Sequence, residues 1–501
     1  MLAVGLGRCT VQSAVLRGVE ATLVDVEVSV RIGQLPSFNI VGMVDAAVQE
    51  SKERVKVALR EAGFMMPGDH VLVNLAPSSL RKAGSGFDLA IAVGMLVATG
   101  QIDPGIARGK LFVGELSLGG EVRSVAGLLA YALCARDHGY SLVCSEQADG
   151  LIPVEGLEQL GLRSLNDLRT GSFYAIQNDA CEPSGIQPDY CEISGNEIGK
   201  RAFQIAAAGS HGLLMMGPPG SGKTMLAQRL PSILPPLDED EKLRVALIHS
   251  VAGENIAPIL AGRRPFRSPH HSATAAGLIG GGTPVRPGEV SLAHLGVLFC
   301  DEMGEFRASV LQQIRQPLED GKVSISRADG TVTFPARFML IAASNPCACG
   351  YFGDPERECT CTESQIAKYQ NRIGGPLMDR IDIHIDVKRV PPGEVISPEG
   401  GTSSAELREG VLAGREYASW RRAHENVGST TQDLMVSCHL DEKDERFFER
   451  MAQLNHMSGR AIVRTMSVAR TIADIDQRLS VSKADLCEAL GFRLREGVGQ
   501  L

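Results

Sequence analysis

The chain has 501 residues, more than one ordinary hydrophobic core accommodates, and its 44% hydrophobic and 22% charged content excludes a disordered or fibrous chain. A formal net charge of −9 excludes a generally basic nucleic-acid coat, while leaving room for a local basic channel. No apolar run approaches the roughly 18 residues a membrane helix needs, and Met1–Gly5 has no basic region ahead of an apolar stretch, so a cytoplasmic protein without membrane contact is expected.

In chain order, residues 1–170 form a first α/β segment. Strands are expected where apolar residues alternate, as in Thr22–Val30 and Val71–Leu75, and helices over Ala46–Ala62 and Phe87–Thr99. A polar stretch containing Pro and Gly marks a linker, residues 171–190. A nucleotide domain of α/β type follows over 191–395, then a Pro/Gly hinge, Pro391 to Gly401. The remainder, 396–501, reads as a helical tail. Its helix starts are marked by capping boxes at Ser403/Glu406 and Ser482/Asp485, and Val468, Ile472 and Ile475 recur at core spacing.

The nucleotide domain is defined by Gly217-Pro218-Pro219-Gly220-Ser221-Gly222-Lys223-Thr224, a full Gly-x-x-x-x-Gly-Lys-Thr phosphate loop after the apolar run Leu213–Met216. Glycines let successive backbone N–H groups face one anion, and the helix that follows adds roughly half a positive charge. Lys223 is placed to reach the β- and γ-phosphates of ATP, and the Thr224 hydroxyl to hold Mg²⁺. Gly296–Cys300 is a second apolar strand ending in Asp301 and Glu302: Asp301 suits the Mg²⁺ shell, and Glu302 suits orienting the attacking water. A third strand, Arg337–Ser344, ends in Asn345, either a turn residue or a sensor of the γ-phosphate. Arg380 lies at a helix-to-strand transition, where it is a surface ion pair or an arginine that reaches a neighbouring subunit's nucleotide.

The stretch between Lys223 and Asp301 is long and holds Arg263, Arg264, Arg267 and Arg286 with the run Gly280–Gly282. Lys322–Phe334 alternates around Asp329-Gly330 and reads as a hairpin, with Arg327 near its tip; it either follows a phosphate backbone or is simply solvated. Eight of the twelve cysteines are scattered and read as small core residues in a reducing compartment. The other four, Cys347-x-Cys349 and Cys359-x-Cys361, are either a tetrahedral Zn²⁺ site or free thiols, with a spacing tighter than usual for zinc. His270 and His271, being adjacent, read as structural or nucleic-acid contacts rather than joint metal ligands.

Gly42–Ala58, Arg264–Ser272, Arg286–His294, Asn345–Gly350 and Arg470–Asp474 carry a resemblance, over essentially the whole chain, to the ComM/YifB family of magnesium-chelatase-like AAA+ proteins. The resemblance implies that Asn345 is the first sensor, Arg380 a finger acting on the adjacent subunit and Arg470, on a lid helix, the second sensor. A finger in trans implies a homo-hexameric ring, and the Lys322–Phe334 hairpin resembles those that point into the pores of such rings. The first segment resembles the Lon-protease-like (ribosomal S5 domain 2-like) fold. There the nucleophile's position falls on Gly86 and the lysine's near Tyr131, which implies a non-proteolytic scaffold that contacts DNA or only stabilises the ring.

The function implied is an ATP-driven motor on single-stranded or branched DNA, performing branch migration in recombination beside recombination proteins. The alternatives are the motor subunit of a metal chelatase and a protein-remodelling ATPase.

Overall fold

The computed structural model describes residues 7–31, 36–67, 70–148, 150–176, 188–327, 330–354, 356–373, 375–391, 393, 401–425, 428 and 430–493. Most of the expected linker (177–187), most of the hinge (392, 394–400) and the hairpin turn (328–329) lie outside these residues.

The first segment is built on a seven-stranded mixed sheet in the order Ser37–Val41, His70–Ala76, Glu20–Arg31, Arg8–Arg17, Lys110–Phe112, Ser141–Ser145, Gln159–Leu162. The long strand Glu20–Arg31 buries Val24, Val26, Val28 and Val30 while Glu27 faces water, the two-residue period of a strand with one face covered. Helices Ala46–Glu61 and Asp88–Ala98 pack in the same apolar cluster as those valines. Asp45 caps the first helix by accepting from the Val48 amide at 2.9 Å. Buried Asp88, at the start of the second, is held by the Arg54 guanidinium at 2.8 and 3.1 Å.

The nucleotide domain carries a five-stranded sheet in the order Phe266–Arg267, Val297–Cys300, Met339–Ser344, Leu213–Met216, Ile383–Asp386, with every pairing parallel. Its interior strands are apolar up to Ser344, the last residue of the central one, because both faces are covered. Leu213, Met215, Phe299 and Ile341 face one core, which includes helix Lys223–Ile233 and the tail. Leu214, Met216, Leu298 and Leu340 face another, which includes helix Ala308–Asp320.

The tail is helical: Ser404–Glu425, Thr431–Ser437, Glu442–Leu454, Gly459–Ile475 and Lys483–Gly491. Val468 and Ile472 are buried in its core, with Ile475 partly buried against it. Arg421 pairs with Asp474 through two 2.9 Å bonds, locking the first long helix to the fourth. His211 ties the tail to the nucleotide sheet, bonding Thr471 at 2.8 Å and Asp382 at 3.1 Å. The first segment meets the nucleotide domain through Leu129, which shares an apolar cluster with Leu237, Val245 and Ile259. Among the described residues no helix is long and apolar enough to cross a membrane, and no disulfide forms.

Candidate active site

The phosphate loop leaves strand Leu213–Met216 between the Asn345 strand on one side and Ile383–Asp386 on the other. A side chain at Gly217 is impossible, since a β-carbon there would lie 2.2 Å from the Val387 carbonyl oxygen. Gly222, at φ +87°, opens helix Lys223–Ile233 from the left-handed region that favours glycine. Lys223 folds back over the loop, donating to the carbonyls of Gly217 at 2.8 Å and Pro218 at 2.9 Å and to Asn345 Oδ1 at 3.4 Å. Burial pushes its ammonium below the usual lysine range, partly opposed by the carboxylates of Asp301 and Glu302. The three strand tips therefore converge on one ammonium group.

Thr224 Oγ1 donates to Asp301 Oδ2 at 2.8 Å, across 77 residues of sequence. A hydroxyl and a carboxylate oxygen at the same spot are hard donors, the chemistry Mg²⁺ takes. Asp301 Oδ1 accepts the Glu302 amide at 2.9 Å, which turns the next side chain outward. Glu302 itself sits at φ +49°, ψ +46°, a conformation rarely held by a residue with a β-carbon and one that concentrates at functional sites. Its exposed carboxylate lies 3.6 Å from His271 Nδ1. Sequence reading leaves His271 among structural or nucleic-acid residues. The signal that finds it is the pairing of Phe266–Arg267 beside Val297–Cys300, which carries the Arg-Ser-Pro-His-His loop over the acidic tip.

The remaining arginines separate into distinct groups. Arg380 is buried and its guanidinium pairs with Glu319, at the end of helix Ala308–Asp320 in its own chain. Every hydrogen bond of Arg470 stays within the tail: it donates to the carbonyls of Ser437 at 3.0 Å and Leu479 at 2.6 Å and to Arg478, and it pairs with Asp474 at 3.1 Å. None of these partners belongs to the phosphate loop; they close the helical tail around the guanidinium expected to be the second sensor. Arg264 and Arg267 are structural as well, engaged by Glu241 and by Glu254 and Glu289 respectively.

Arg286 and Arg327 are placed differently. The expected hairpin is formed by Lys322–Arg327 and Gly330–Pro335 in antiparallel register, and Arg327 Nη1 donates to Thr283 Oγ1 at 3.0 Å, on the Gly-rich ribbon that carries Arg286. Both arginines, together with Arg17 and Arg81 of the first segment, line a cleft of about 590 Å³ between the two domains. Among the described residues lining it there is no Asp or Glu. Gly86 and Tyr131 also open onto this cleft and face each other: a β-carbon on Gly86 would lie 3.7 Å from the Tyr131 hydroxyl.

Past Asn345 the chain forms a loop in which the sulfurs of Cys347, Cys349, Cys359 and Cys361 all lie within 4.8 Å of one another. Its Gly350 is pressed against the phosphate loop, since a β-carbon there would stand 2.7 Å from Pro219 Cδ.

A parallel sheet with a phosphate loop on one strand and an acid-tipped strand two places away defines a P-loop ATPase of the AAA+ class. Three family models match in succession: Subunit ChlI of Mg-chelatase over residues 26–148, Magnesium chelatase, subunit ChlI over 189–395, and Magnesium chelatase, subunit ChlI C-terminal over 401–493. The chain is 38% identical over 504 residues to Competence protein ComM of Haemophilus influenzae, covering 96% of this chain and 97% of that one. It is 38% identical over 488 residues to the uncharacterized protein YifB of Escherichia coli, covering 95% of each. The Magnesium-chelatase 67 kDa subunit of Heliobacterium mobile is 27% identical over 183 residues, 31% of this chain and 27% of that one. The chain belongs to the ComM/YifB family of magnesium-chelatase-like AAA+ ATPases, whose chemistry runs on ATP and Mg²⁺.

Proposed function

We propose that this chain is the subunit of a homo-hexameric, ATP-driven motor that moves single-stranded or branched DNA in the cytoplasm, performing branch migration in recombination. The observation that carries the reading is the cleft between the domains. Four arginines from two domains line it, and two of them ride on joined hairpins of the ATPase. Guanidinium groups recognise phosphate through paired, charge-assisted hydrogen bonds, and such a groove tracks a nucleic-acid backbone without reading its sequence. The likeness to a protein named for competence supports recombination as the occasion, with recombination proteins as further partners.

In this reading the phosphate-loop amides and Lys223 bind the triphosphate, while Thr224 and Asp301 hold Mg²⁺, which neutralises charge developing on the phosphates. Glu302 orients a water for in-line attack at the γ-phosphorus and Asn345 contacts the γ-phosphate. Arg380, released from Glu319, reaches the nucleotide of the adjacent subunit. Hydrolysis then shifts the hairpins and drags the strand they hold.

The chelatase family models favour a second reading, the motor subunit of a metal chelatase. The chelatase relative's match to 31% of the chain, against 96% for the competence protein, weighs for DNA. Strand exchange on a labelled four-way or three-strand junction with Mg²⁺-ATP decides between them. Product that depends on ATP and is lost in Lys223→Ala and Glu302→Gln is expected. Sound ATP hydrolysis without junction movement, on forks as well, sinks the DNA reading and leaves the chelatase or a protein-remodelling role.

A further inference from the structure

The segment from Pro346 to Thr362 joins two features that the ATPase chemistry does not explain: four clustered thiols and a direct contact with the phosphate loop. The Cys347 sulfur is 3.3 Å from that of Cys349 and 3.7 Å from that of Cys359, and Cys349 and Cys359 are 3.6 Å apart. These separations are too long for disulfides, whose sulfurs bond at about 2.05 Å. They match the edge of a tetrahedron around one ion: a Zn–S bond of about 2.3 Å gives sulfurs about 3.8 Å apart. Four sulfurs this close leave room for a single ion rather than a polynuclear cluster. Among soft-ligand ions a closed tetrahedral thiolate set suits Zn²⁺.

The first pair of cysteines follows directly on the third strand tip. Cys347 is two residues beyond Asn345, is fully buried, and accepts the Gly350 amide at 3.0 Å through its carbonyl. The resulting turn holds Gly350 at φ +87° and seats it on Pro219, with Asn345 Cγ 3.9 Å from where its β-carbon would be. The second pair returns the chain to helix Glu363–Ile373, whose Gln370 binds the Pro346 carbonyl at 3.1 Å. The loop is thus a wall of the nucleotide site, and its closure depends on whatever joins the two cysteine pairs.

We infer that Cys347, Cys349, Cys359 and Cys361 bind one Zn²⁺ ion, and that this ion clamps the wall formed by Gly350 against Pro219, holding Asn345 beside Lys223. Zinc occupancy then sets nucleotide affinity, although the metal touches neither ATP nor Mg²⁺. The inference rests on the nucleotide site proposed above and is independent of DNA.

The test uses the full chain, purified without chelator. Elemental analysis is expected to give about one zinc per chain, and less in Cys359→Ser/Cys361→Ser. Removing the metal with a chelator is expected to weaken binding of a fluorescent ATP analogue by about tenfold or more, with recovery when Zn²⁺ alone is returned. Protein without zinc, or stripped protein that binds nucleotide as tightly as before, overturns it. Should stripping unfold the chain, Gly350→Ala decides. It is expected to keep its zinc and stay folded, melting somewhat lower because alanine is strained at φ +87°, yet lose nucleotide affinity, because the new methyl meets Pro219; unchanged affinity overturns the clamp. Absence of strand exchange with these results intact would count against the DNA motor alone.

Discussion

The Tyr131 hydroxyl stands 3.7 Å from where a β-carbon on Gly86 would lie, so the two positions that the resemblance to Lon-type proteases assigns to a Ser–Lys dyad face each other with neither group present. Burial raises the Tyr131 phenol above its ordinary range, so it stays protonated and is no base. The neighbouring Ser85 hydroxyl donates to Glu115, and Lys82 is buried with its ammonium on the Pro77 carbonyl. Casein and fluorogenic peptides are expected to remain intact with the protein and Mg²⁺-ATP. Cleavage that disappears in Ser85→Ala would sink this expectation.

In the proposed mechanism, the 3.6 Å proximity of His271 to Glu302 casts the imidazole as a positioning residue for the carboxylate assigned to the attacking water. A polar contact of this length between two partly exposed groups is worth about 1 kcal/mol or less. His271→Ala is therefore expected to lower kcat for ATP by about fivefold at most, about 1 kcal/mol, with KM little changed. His271→Gln, which retains a donor, keeps most of the rate. A His271→Ala enzyme with full kcat removes the residue from the mechanism.

What sequence reveals here is what is local. The phosphate loop, the strand feeding it and the helix leaving it are contiguous, so Gly217–Thr224 is legible without a partner in sight. Asp301 and Asn345 are legible as polar ends of apolar strands, because a parallel sheet buried on both faces forces uninterrupted apolar runs. The roles of the other arginines depend on distant partners. Arg267 finds Glu254 and Glu289, and Arg470 finds the carbonyls of Ser437, Arg478 and Leu479, only once helices and strands are assembled. Arg327 beside Thr283, 44 residues away, is equally invisible in the linear chain.

Arg380 is buried against Glu319, so an isolated subunit holds it in its own chain. Arginines that reach a transferring phosphoryl group contribute about a thousandfold or more in rate. Arg380→Ala is expected to lose turnover on that scale while binding ATP normally. Mixing Arg380→Ala with Glu302→Gln subunits separates trans from cis action, since each ring interface of the right order then has one intact finger and one intact glutamate. Activity recovered in the mixture supports trans action. A mixture as dead as its parts, with mixed rings demonstrated, refutes it.

His294 makes the nucleotide domain sensitive to acid. Its Nδ1 accepts the Arg337 amide at 3.0 Å, which requires an unprotonated nitrogen. Burial, with Arg337 and Arg244 adding repulsion, lowers its pKa from 6.5 to about 4. The folded chain thus stays neutral there while the unfolded chain takes up the proton, so stability is full above 6.5 and is lost as pH falls toward 4. The loss from this group is at most about 3 kcal/mol. His294→Asn is expected to melt lower than the parent near neutrality but to show a shallower fall of Tm with acid. An unaltered pH dependence would assign the acid sensitivity elsewhere.

Arg327 and Arg286 act, in the DNA reading, as separate phosphate contacts on two joined hairpins, since Arg327 bonds Thr283 on the ribbon that carries Arg286. Each neutralised duplex phosphate steepens the fall of log K with log salt by about 0.9, so Arg327→Ala and Arg286→Ala should each flatten that slope by about one unit. Neither residue belongs to the sheet that builds the ATP site, so the affinity for ATP is expected to hold in both variants while strand exchange fails. Arg264→Ala is the contrasting variant: its guanidinium is engaged by Glu241 and the carbonyls of Pro235 and Leu295, so it should cost stability and leave the salt slope alone. A slope unchanged in Arg327→Ala and Arg286→Ala but changed in Arg264→Ala would move the DNA path away from the cleft. A flat salt response of the parent protein would remove DNA as the partner.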